Sequence, residues 1–132
     1  FRTGGMVQKR MMPPASVAAA FTALAILRRE PERVTRLHRN AALLFGLLRE
    51  QECDTGPCPG TAVQPVIVGD EEACARLCQS LWQANINVSP ILFPAVALGA
   101  ARLRFFVSSE HSPEQLRYTA ARLAEARTSG VP

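Results

Sequence analysis

Prolines at three places decide where this chain can be helical. Proline has no N–H and a fixed φ of about −65°, so it fits the first turn of a helix, where amides lack intrahelical partners, and breaks a helix elsewhere. Pro13-Pro14 precedes an alanine-rich stretch in which Val17, Phe21 and Leu24 recur on one side. Glu30-Pro31-Glu32 closes that helix and opens a second, in which Val34, Leu37, Ala41, Leu44 and Leu48 form a continuous apolar stripe. Arg33, Arg36, Arg39 and Arg49 mostly face elsewhere, as a solvated side. Ser112-Pro113-Glu114-Gln115 opens the last helix with a serine N-cap and a glutamine at the reciprocal capping-box position, followed by Leu116, Ala120 and Leu123 on one face.

The segments between these helices read differently. Cys53 to Gly60 is a turn-rich loop, and Ala62 to Val68 is a β-branched strand. Asp70 caps a helix from Glu71 to about Ala84, which Asn85 closes in the left-handed conformation. Ile86 to Phe93 is a second extended segment, and Pro90 within it forbids a ladder bond and marks an edge or a bend. Arg102 to Ser108 is the third strand. The last two strands are joined by a short loop and pair as neighbours, and the first joins them. The expected fold is α+β, a small antiparallel-type sheet of about three strands with helices packed on one face. No internal repeat, low-complexity segment or linker divides the chain, so residues 1–132 read as one domain. A sheet covered on one side leaves its other face open to a partner.

Composition narrows the function classes. The net charge of +4 is spread over every helix, and aromatic residues are 6% of the chain without interleaving among the basic ones, which argues against nucleic acid. The longest greasy stretch, Ala15 to Leu27, is broken by Ser16 and Thr22 and runs into Arg28-Arg29, which argues against a membrane span. Phe1 to Lys9 has no secretory pattern, and a cytoplasmic protein is expected. Cys74 and Cys78 lie four apart on the face that carries Leu77 and Leu81, where cysteine behaves as a small hydrophobe. Cys53 and Cys58 flank a Gly56-Pro57 turn, and no C-x-x-C pair completes a zinc set, although the even count leaves zinc as an alternative. Phosphate-loop, dinucleotide, zinc-protease and nucleophile-elbow motifs are all missing. His38 falls on the arginine-rich helix as a surface residue, and His111 stands where it can fix the turn before the Ser112 cap.

Arg102 and Arg104 are two apart on an otherwise apolar strand, so both guanidiniums project from one face while Leu103 and Phe105 point to the other. Such a pair suits an ordinary solvated surface as well as it suits a carboxylate clamp, which exploits the planar fork of arginine.

The segment "NINVSPILFPAVALGAARLRFFVSSEHSPEQL" resembles the carboxy-terminal signature of the α-oxoamine synthases, pyridoxal-phosphate enzymes of fold type I. The family pattern is a hydrophobic strand, P-x-V-P-x-G-x-A-R-L-R, an apolar strand, then S-x-x-H-[ST]-x-E-x-[IL]. Upstream, "MMPPASVAAAFTALAIL" and "RVTRLHRNAALLFGLL" resemble two family helices, with Asn40 at the family's asparagine position. The wording of "PILFPAV" and "ARLRFF" is most similar to members attached to polyketide synthases.

The resemblance implies that residues 1–132 are the carboxy-terminal small domain of an enzyme that condenses an amino acid with an acyl thioester, carried on an acyl carrier protein or CoA, with loss of carbon dioxide. It implies pyridoxal phosphate as cofactor and a homodimeric intact enzyme. Arg104 takes the position that recognises the α-carboxylate of the amino acid, and Arg102 supports the strand or a neighbouring acidic group. The family's Schiff-base lysine lies in a larger domain upstream, so this chain is expected to hold no catalytic residue, to bind no cofactor alone and to be inactive in isolation. Lys9, the single lysine, falls where relatives have a hydroxyl that reaches the neighbouring subunit's cofactor phosphate; Lys9-Arg10 either makes that contact by charge or forms a basic surface tail. Ala97 replaces the proline that follows P-x-V. The competing expectations are a non-catalytic interaction module and an aminotransferase small domain of the same fold type.

Overall fold

A computed structural model describes residues 13–128, which fall into two compact units, one up to Glu32 and one from Arg33. The first is helix α1 (Pro14–Arg29), with proline in its first turn. The Pro13 carbonyl accepts from the Ser16 and Val17 amides at 2.9 and 3.2 Å, so the helix starts where proline permits it. Val17, Phe21 and Leu24 line up as their spacing predicts, yet α1 buries none of its residues and Phe21 is 71% exposed.

The second unit holds α2 (Glu32–Glu50) from its second residue on, with β1 (Val63–Gly69), α3 (Glu71–Gln83), β2 (Ser89–Ile91), β3 (Ala101–Phe106) and α4 (Pro113–Thr128). The three strands form one antiparallel sheet in the order β1-β3-β2. Both edges carry a proline, Pro65 in β1 and Pro90 in β2, as strands paired on one side only can. The second extended segment shortens to three paired residues around Pro90. A bulge between Ile67 and Gly69 ends the β1 ladder, and Gly69 has the positive φ of 88° that suits a residue without Cβ.

Alternation along β3 sets the layering. Ala101, Leu103 and Phe105 are buried and join Val107 on the inner side. There they meet Leu44 and Leu48 of α2, Cys74, Leu77 and Leu81 of α3, and Leu116 and Leu123 of α4 in one core. The helices of this unit therefore pack on one face of the sheet, as expected. No helix among the described residues is long and apolar enough to cross a membrane.

Local chemistry fixes the helix ends. The Asp70 carboxylate accepts from the Ala73 amide at 2.7 Å and starts α3. Asn85, at φ 60°, closes it: the Ile86 amide donates to the Leu81 carbonyl and the Asn85 amide to that of Trp82, each at 2.9 Å, which is a Schellman motif. The capping box before α4 is formed in both directions, Gln115 N–H to Ser112 Oγ at 3.3 Å and Ser112 N–H to Gln115 Oε1 at 2.8 Å. A second Schellman closure ends α2, with Glu52 at φ 54° and the Cys53 amide donating to the Leu48 carbonyl at 3.0 Å.

The turn from β3 into α4 is held from α2. Asn40 is buried, and its Nδ2 donates to the Ser108 carbonyl at 3.0 Å and the His111 carbonyl at 2.8 Å. His111 Nδ1 accepts from the Ser108 amide at 3.1 Å, which gives this histidine the turn-fixing role its position suggests. Arg33 and Arg36, from the arginine-rich side of α2, reach Glu110 in the same turn at 2.9 and 3.6 Å.

Candidate functional site

The open face of the sheet is built by the strand period. Residues 63, 65 and 67 of β1, 102, 104 and 106 of β3, and 89 and 91 of β2 share it, opposite the buried set. The register places Arg104 between Pro65 and Ser89, with Arg102 between Ile67 and Ile91. Val63 and Phe106 face each other at one end, 42% and 54% exposed. This surface carries two cations and no acidic residue, so its field favours an anion.

The two arginines are held differently. Arg102 is half-buried, and its Nε donates to the Ala100 carbonyl at 3.1 Å, tying it back along its own strand. No acidic group holds it among the described residues. Arg104 is exposed, and its guanidinium carbon lies 5.1 Å from the centroid of the Phe106 ring. Among the described residues no carboxylate pairs with Arg104 and no hydrogen bond engages its five N–H donors. A central strand bonded on both sides is a rigid mount for such a group. Phe106 was legible in the same period-2 pattern, which puts it beside Arg104 rather than with Phe105.

Lys9 lies outside the described residues. Ala97 sits in the β2–β3 connection, where its carbonyl accepts from the Ala100 amide at 3.1 Å and closes a turn without the proline. Two hollows lie in the second unit, about 280 Å³ beside Cys53, Asp70 and Arg127 and about 480 Å³ between Asn85, Phe106, His111 and Tyr118. Arg104 lines neither.

The thiols offer no activated nucleophile among the described residues. Burial pushes Cys53, Cys74 and Cys78 above the ordinary cysteine value. At Cys53 the Arg127 guanidinium, 3.1 Å from Sγ, works in the opposite direction without overcoming burial. All four cysteines are free thiols, and no group of three or more His, Cys, Asp or Glu side chains gathers around a metal position among the described residues. The described residues include no lysine, so they do not fit the carbonyl end of an aldehyde cofactor such as pyridoxal phosphate.

Comparison with known proteins gives a consistent result. The family model for aminotransferase class I and II matches residues 2–123. An 8-amino-7-oxononanoate synthase of Symbiobacterium thermophilum is 37% identical over 113 residues, which cover 86% of this chain and 29% of that protein. The 8-amino-7-oxononanoate synthase 1 of Bacillus subtilis is 33% identical over 104 residues, covering 79% and 26%. Among solved structures, the serine palmitoyltransferase of S. paucimobilis with a bound PLP–myriocin aldimine superposes with a TM-score of 0.81 at 28% identity, covering 90% of this chain and 30% of that one. The serine palmitoyltransferase of Sphingomonas wittichii gives 0.80 at 27% identity, with the same coverage. The chain thus spans less than a third of the length of each.

Proposed function

Because the chain belongs to the aminotransferase class I and II family, we propose that it is the carboxy-terminal small domain of an α-oxoamine synthase and that Arg104 binds the α-carboxylate of the amino-acid substrate. The observation that carries this reading is the asymmetry of the arginine pair: Arg102 is committed to the Ala100 carbonyl, whereas Arg104 stands on the open face with its donors unspent. A carboxylate accepts two parallel N–H bonds from one guanidinium, so the contact fixes orientation as well as position. Held in that way, the carboxylate sets which bond at Cα is aligned for cleavage, a positional role that requires no proton transfer by Arg104.

In the intact enzyme an amino acid and an acyl thioester are joined with release of carbon dioxide, and the names of the related synthases and transferases support that class. The Schiff-base end of pyridoxal phosphate, which the matching serine palmitoyltransferase structures carry, is assigned outside the described residues, since these include no lysine. On this reading the intact enzyme is a homodimer, and the charge of Lys9 is assigned to the neighbouring subunit's cofactor phosphate, against the alternative of a basic surface tail. The placement among members attached to polyketide synthases rests on the segments "PILFPAV" and "ARLRFF" alone, and the acyl donor is an acyl carrier protein or CoA. Its test is acyl transfer from each donor to the same amino acid.

The experiment for the main reading is amino-acid affinity in the full-length holoenzyme. Arg104→Ala is expected to weaken binding, Arg104→Lys to restore little of it, because a point charge lacks the planar fork, and Arg102→Ala to affect stability more than affinity. Unchanged affinity in a folded, cofactor-loaded Arg104→Ala enzyme would return the pair to a plain surface feature and leave a non-catalytic interaction module as the better description.

A further inference from the structure

We propose that Phe106 is a positioning residue for Arg104, its ring face holding the guanidinium in place for the substrate carboxylate; this rests on the assignment of Arg104 made above. Both residues sit on β3, the strand bonded on both sides, so their backbone positions are fixed relative to each other. The guanidinium carbon lies 5.1 Å from the ring centroid, inside the distance of about 6 Å at which the π face attracts a cation. Phe106 is 54% exposed, and its neighbour across the β1–β3 pair is Val63. Within this chain the ring is therefore only partly buried, and the guanidinium is the cation on its face.

A long arginine side chain loses rotamer freedom when it is clamped by a ligand, and a preorganised one loses less. The π face suits that task. It attracts the guanidinium through its quadrupole yet accepts none of the five N–H donors in a conventional bond, so all of them stay available. A neighbouring carboxylate would hold the arginine more firmly and would compete with the substrate for the same fork.

The test is amino-acid dissociation in the full-length holoenzyme, read from the absorbance change of the bound cofactor, with turnover at saturating amino acid measured alongside. Phe106→Leu, which keeps an apolar side chain and removes the ring, is expected to weaken binding about two- to fivefold, with saturated turnover little changed. Phe106→Tyr, which keeps the ring, is expected to restore binding. In an Arg104→Ala background, Phe106→Leu is expected to have no further effect. Wild-type affinity in Phe106→Leu, or an undiminished effect of Phe106→Leu when Arg104 is already alanine, would overturn the proposal. If Arg104→Ala weakens binding and Phe106→Leu does not, the ring's role alone fails. If Arg104→Ala leaves affinity unchanged, the assignment on which it rests fails with it.

Discussion

Asn40→Ala is expected to destabilise the second unit by about 2 to 3 kcal/mol. Asn40 is 5% exposed, and its Nδ2 serves the carbonyls of Ser108 and His111 at 3.0 and 2.8 Å. A hydrogen bond contributes roughly 0.5–1.5 kcal/mol net, and a buried carbonyl stripped of its donor costs roughly 1–3 kcal/mol. Losing two bonds to one residue while one or both carbonyls recover part of their hydration gives the stated range, a change of roughly 30- to 160-fold in the folded-to-unfolded ratio. Asn40→Asp separates the donor's role from that of side-chain volume. Once ionised it places a charge against two carbonyl oxygens and should cost more than alanine. The introduced acid would have a folded pKa raised above its unfolded value, so the penalty should grow as pH rises and shrink in acid. Urea unfolding with an unchanged m-value measures both variants, with His38→Ala, exposed on the same helix, as the control. An Asn40→Ala protein within about 0.5 kcal/mol of wild type, or an aspartate no worse than alanine at pH 7, would refute the reasoning.

Two further effects concern backbone and thiols. Glu52 holds φ 54° at the C-terminal closure of α2, so Glu52→Gly should raise stability by about 0.5–1 kcal/mol, the left-handed penalty less the added chain entropy of glycine; an unfolding midpoint that falls would contradict this. Cys53, Cys74 and Cys78 are held protonated by burial. Their unfolded counterparts ionise first, so stability should be fully present below the unfolded thiol pKa of about 8.5 and decline as pH rises beyond it. Denaturation at pH 7.5 and 9.5 reads the decline, and Cys74→Ala should flatten it; a profile that rises instead would reverse the sign. Thiol titration should find Cys74 slow to react until denaturant is added.

The helix boundaries were legible because their signals are local. Pro14, Asp70, Asn85 and the Ser112–Gln115 box each act within a few residues of their own position, and each does in the structure what its chemistry dictates. The sidedness of Arg102 and Arg104 followed from the strand period for the same reason. What the sequence concealed depends on distant or residue-neutral causes. Glutamate has no preference for a left-handed closure, so Glu52 carried no signal. The bonds of Asn40 join residues 68 and 71 positions apart, which no local pattern reports. The stripe of Val17, Phe21 and Leu24 on α1 was visible, but its exposure was not, because periodicity states which residues share a side and not what covers it. Arg104 was singled out by resemblance, whereas its difference from Arg102 emerged only from the tie to the Ala100 carbonyl.

If the Arg104 guanidinium meets a carboxylate, deleting that carboxylate from the ligand should abolish the difference between the wild type and an Arg104 variant. The full-length holoenzyme and its Arg104→Ala variant are titrated calorimetrically with the amino-acid substrate and with the amine that lacks only the carboxylate. A partly desolvated charge-assisted contact contributes about 1.5–3 kcal/mol, so the variant should bind the amino acid roughly 13- to 160-fold more weakly. Both proteins should bind the amine alike. An equal loss for the two ligands would contradict the account, since Arg104 would then act on something other than the carboxylate.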